Sequence, residues 1–149
     1  SLYTYVCRSF PHPAMVAFDA PSREECVAER PRSNIPQQAL VLLNDPVFVE
    51  AARVLAERLL IEVEGDDDSR LTRAFRLALT REPTAKERQI LTKLLVAQRE
   101  RYKANPEDAK KLIATGSKPS STNQEPHELA AWTSISRALL NIYETTARF

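Results

Sequence analysis

Arg30-Pro31-Arg32-Ser33-Asn34-Ile35-Pro36-Gln37-Gln38-Ala39-Leu40-Val41-Leu42-Leu43-Asn44-Asp45-Pro46-Val47-Phe48-Val49-Glu50-Ala51-Ala52 sets the fold class of this chain. It lays out an extended basic lead-in, a short apolar helix, an Asn-Asp-Pro corner and the start of a longer helix. Pro36 suits a first helical turn, where its absent N–H would have had no partner. Residues 39–43 are apolar nearly all round, which places this short helix at the buried centre. Asp45 can cap the next helix, with Pro46 at its first position. That helix runs to about Ile61. Phe48, Ala52, Leu55 and Leu59 make its apolar stripe, and Glu50, Arg53 and Glu57 lie on the opposite face at ion-pairing spacings.

The same grammar recurs downstream. Gly65 ends the second helix, and Asp66-Asp67-Asp68-Ser69 opens a third, over about residues 70–80. Those acids suit the positive end of a helix dipole; the alternation and closing Glu of an EF-hand are absent. Thr84-Ala85-Lys86-Glu87 is a capping box. It starts a helix to about Lys103 whose inward side is Glu87, Leu91, Leu94, Leu95, Gln98 and Tyr102, with Ile90 alongside. Asn105-Pro106 begins a short helix that Gly116 can end. After a Ser- and Pro-containing loop, a last helix from Pro126 carries Leu129, Trp132, Ile135, Leu139, Ile142 and Tyr143 at three- and four-residue steps, and should lie along the core and be essential to it.

Composition agrees with this reading. Two glycines and ten prolines in 149 residues argue against hairpin-rich β structure and for helices punctuated by proline. The expected fold is all-α: a compact bundle of five to six helices over residues 36–149, with an irregular proline-rich arm over residues 1–35. Leu2, Tyr3, Tyr5, Val6, Phe10, Met15, Val16 and Phe18 make the arm too apolar for a disordered tail. A short turn over residues 22–28 is expected within it, with Ser22 as cap and Glu25 three residues on. The start at Ser1 reads as a piece of a longer protein, and burial of Leu2, Tyr3, Tyr5 and Val6 of the truncated arm in a neighbouring copy then offers a route to a homodimer.

A net charge of +1 gives no basic excess for nucleic acid, and no apolar run reaches the ~18 residues of a membrane span. Arg70, Arg73 and Arg76 step around one helix face and read as a solvated face near the acids at 62–68. Cys7 and Cys26 form no CxxC. In an oxidising compartment they could close a disulfide worth roughly 3 kcal/mol; in a reducing one they are small packing residues.

His12 and His127 are the only histidines, too few and too far apart in sequence for a zinc site. No Gly-rich nucleophile elbow or phosphate loop occurs. No catalytic, cofactor-binding or metal residue is assigned. The cluster singled out is Asp19, Arg30, Arg32 and Asn34. Asp19 reads as a turn residue, while Arg30 and Arg32 could bind helix carbonyl ends or Asp19.

Several strings carry a resemblance. They are Ser1-Leu2-Tyr3-Thr4, Phe18-Asp19-Ala20-Pro21 with Arg23 and Cys26, and Asn34-x-Pro36-x-Gln38-Ala39-Leu40 through Ala52. Further on come Arg73-Ala74-Phe75-Arg76-Leu77-Ala78, Arg81-x-Pro83-Thr84-x-x-Glu87, Ala131-Trp132-Thr133 and Leu139-Leu140-Asn141-x-x-Glu144. Together they resemble the C-terminal part of the planctomycete PSD-type domain, a family of unknown function. The resemblance implies a domain that begins upstream of Ser1, in a large exported, envelope-associated protein that also carries cytochrome-c-like domains. It supplies no catalytic residues. The leading expectation is a non-catalytic structural or interaction module whose partners are other domains of its parent chain. The alternatives are part of an envelope hydrolase or carbohydrate-related enzyme completed by the upstream half, and a nucleic-acid-binding helical module.

Overall fold

A computed structural model describes residues 5, 7, 9–21, 26–29, 31, 33–120 and 124–146. Among them are eight helices and no strand: α1 (Pro13–Ala17), α2 (Pro36–Asn44), α3 (Pro46–Glu62), α4 (Asp67–Leu79), α5 (Ala85–Ala104), α6 (Pro106–Ile113), α7 (Pro126–Leu140) and α8 (Tyr143–Thr146). The all-α class is as read from the sequence. Six of the helices are those expected; α1 and α8 are additional short turns. None of the helices described is long and apolar enough to cross a membrane. The chain forms two compact units, Ser1–Val41 and Leu42–Phe149, the division falling within α2.

In the first unit the arm is not irregular throughout. Pro13 opens α1 at a position that needs no donor, and His12 caps it by accepting the Ala14 N–H through Nδ1 at 3.3 Å. Asp19 follows the helix at φ 57°, a left-handed conformation that Asp tolerates better than most residues. The turn expected at residues 22–28 lies partly outside the described residues, and residues 26–29 are not helical. Cys7 and Cys26 are free thiols.

In the second unit α7 is the central element, packed against α3, α5 and α6. Leu129, Ala130, Ala131, Trp132, Thr133, Ile135, Ser136 and Leu139 are all buried. Small side chains at 130, 131, 133 and 136 let neighbouring helices approach on more than one side, while Trp132 and Leu139 fill the gaps between them. Thr133 satisfies its hydroxyl on the Leu129 carbonyl at 2.7 Å. The centre expected at α2 is thus at α7 instead. Only Leu42 of α2 is buried, and Leu40 is 56% exposed. Strong apolarity on a nine-residue helix was a weaker guide than the mixture of small and large residues on a longer one. α7 also stops sooner than its periodicity suggested: Asn141 ends it, and Tyr143 starts α8 with its ring exposed.

The faces of α3 depart from expectation too. Of the expected stripe, Ala52 and Leu59 are buried while Phe48 and Leu55 are only partly so, and Arg53 and Glu57 are buried as well. Val47, Val54 and Ile61 face outward instead. Arg53 is turned inward by the loop after α6, whose backbone groups need partners. Arg53 donates to Glu57 Oε1 and to the Lys118 carbonyl, both at 2.5 Å, and Glu50 accepts the N–H groups of Ser117 (2.7 Å) and Lys118 (3.3 Å). Gly116, at φ 111°, makes this possible, since a Cβ there would overlap the Glu50 carboxylate. On α5, Leu91, Leu95 and Tyr102 are buried as read, whereas Ile90 is exposed.

Candidate functional site

Of the four residues singled out in sequence, Arg30 and Arg32 lie outside the described residues. Asn34 is exposed. Asp19 occupies the turn after α1, where its carboxylate accepts the Ser33 N–H at 2.7 Å and the Ser33 hydroxyl at 2.7 and 2.9 Å. Gln38 of α2 then donates to the Ser33 carbonyl at 3.0 Å. Asp19, Ser33 and Gln38 form a clasp that holds Ser33 beside the turn after α1. This local geometry orders the chain.

One polar constellation lies elsewhere, on three helices that sequence reading did not connect. Arg99 of α5 reaches both oxygens of Asp67, in the first turn of α4, at 2.5 and 2.8 Å. It also reaches both oxygens of Glu128, in the first turn of α7, at 2.5 and 2.8 Å. Glu128 further accepts the indole N–H of buried Trp132 at 3.0 Å. Such fork-to-fork pairs are the stronger, geometrically specific class of ion pair. Hydrogen bonding from Arg99 holds the Asp67 carboxyl below its ordinary range. At Glu128 burial pushes upward, but Arg99 and the Trp132 N–H outweigh it and the carboxyl stays low. The Glu128–Trp132 spacing of four was the one sequence signal available; nothing local names Arg99 as their partner.

A second constellation surrounds Arg81. Its guanidinium binds Glu87 at 2.7 and 2.9 Å and Glu144 of α8 at 2.9–3.2 Å, and lies 5.4 Å over the Phe75 ring. Glu87 completes the capping box by accepting the Thr84 N–H at 2.8 Å. Arg81, with help from Thr84, holds Glu87 down to about 2. Glu144 is lowered by the same guanidinium.

The remaining described arginines follow suit. Arg70 donates to the Val63 carbonyl at the end of α3 and pairs with Asp67; Arg73 pairs with Glu62 and Arg76 with Glu82. Arg137 donates to the Leu43 carbonyl at the end of α2, Arg58 pairs with Glu62 and Arg88 with Asp68. Arg101 lies over the Tyr102 ring. The helix-end role considered for Arg30 and Arg32 is therefore filled in the second unit by Arg70 and Arg137.

Among the described residues of the second unit are open hollows, two of which carry polar side chains. One is lined by Asp66, Asp68, Pro83, Arg88, Gln89 and Thr92, the other by Lys110, Ile113, Gly116, Ser117 and Pro126. In the first, Asp66 caps α4 by accepting the Ser69 N–H, and Asp68 is tied to Arg88. In the second, Ser117 gives its N–H to Glu50. Among the described residues no group of three or more His, Cys, Asp or Glu side chains is placed to hold a metal ion.

Comparison with known proteins adds one finding. A family model described as PSD1, protein of unknown function (DUF1553), matches residues 1–95. The chain belongs to the PSD1 family. No curated protein and no solved structure matches it. The matched residues of this PSD1 chain include the Asn34–Ala52 signature, the Arg73–Ala78 string and the Arg81–Glu87 string. The strings at 131–133 and 139–144 lie beyond them, so the central helix α7 stands outside the matched region.

Proposed function

We propose that this chain is a non-catalytic structural and interaction module of a larger exported, redox-linked multidomain protein of planctomycete type. In this reading it works in the cell envelope beside cytochrome-c-like domains of the same parent chain. The observation that carries the non-catalytic part is the allocation of charge. Every described arginine engages a carboxylate, a backbone carbonyl or an aromatic ring of its own chain. A reactive site needs charged groups held ready for a ligand, and these are bound to helix ends and to one another. The capping, clasping and cross-helix roles described above make them fixtures of the fold.

Partners in this reading are neighbouring domains of the parent, and a second copy through the arm. Tyr5 and Phe10, 85% and 83% exposed, support the latter. Light scattering coupled to size exclusion should give a dimer that Tyr5→Ser with Phe10→Ser converts to monomer. A wild-type monomer at all concentrations contradicts the homodimer. The non-catalytic reading is tested by assaying the chain against ester, glycoside, phosphate-ester and peptide substrates. No turnover above buffer is expected. Turnover abolished by Asp19→Ala or Asn34→Ala, with folding intact, would replace this reading with that of an enzyme domain.

A further inference from the structure

We draw no further inference here: the strongest candidate, the apolar stripe of Val47, Ala51, Val54 and Ile61 along the outward face of α3, is an unpartnered helix face, and nothing in the structure shows what covers it.

Discussion

Arg53 has no solvent exposure, and its partner Glu57 is 5% exposed. Desolvating two such ions costs several kcal/mol, and their attraction offsets that only when the geometry is good and other hydrogen bonds complete it. The Lys118 carbonyl supplies one such bond, which makes the pair a connector between α3 and the loop after α6. Arg53→Met strands a buried carboxylate and should cost about 3–5 kcal/mol in urea denaturation. Arg53→Met with Glu57→Leu should recover much of the loss; equal costs for the single and double variants would refute the pairing argument. Gly116→Ala tests the same junction from the other side. It forces a side chain into a left-handed backbone and against Glu50, with an expected cost of about 2 kcal/mol. A wild-type melting temperature in that variant would show that the loop does not need this conformation. Only part of this was legible in sequence. The i,i+4 spacing of Arg53 and Glu57 announced the ion pair, but whether the pair faces water or protein depends on a loop some sixty residues away.

Helix boundaries, by contrast, were written locally. Asp45-Pro46 and Thr84-x-x-Glu87 cap α3 and α5 as their sequences promise, because a cap needs only residues within one turn of itself; α4 starts at Asp67, capped by Asp66, rather than near Arg70. Asn105 shows the limit. Its side chain turns back to the Arg101 carbonyl, and the first turn of α6 goes without a side-chain cap. Thr84→Ala should cost about 1 kcal/mol. Acid sensitivity belongs to this scale as well. The folded pKa of Glu87, about 2, lies below its ordinary 4.5, so its contribution to stability is fully present above pH 4.5. It is lost as pH falls from there toward 2, in the same direction as Asp67 and Glu128, whose pKa values are also depressed. Melting temperature should fall over that window, and Arg81→Gln should flatten the fall by returning Glu87 toward its ordinary value. A fall in Arg81→Gln as steep as that of wild type would contradict the assignment.

At the scale of the molecule, sequence periodicity identified the right helices but misjudged which is central. Apolar density singled out α2; packing selects the helix whose small residues admit neighbours and whose tryptophan fills the space between them. Trp132→Ala should therefore be among the most damaging changes, at about 3–5 kcal/mol. Held around α7 by the Arg99 fork, α4 and α5 present their charges to one another. The central claim is that such charges build the domain. A double-mutant cycle on Arg99 and Glu128, using Arg99→Met and Glu128→Gln in urea denaturation, tests it most directly. The account predicts a coupling of about 1–2 kcal/mol, with both single variants clearly destabilised. Zero coupling with wild-type stability in both would leave Arg99 and Glu128 available for a ligand, and would contradict the claim.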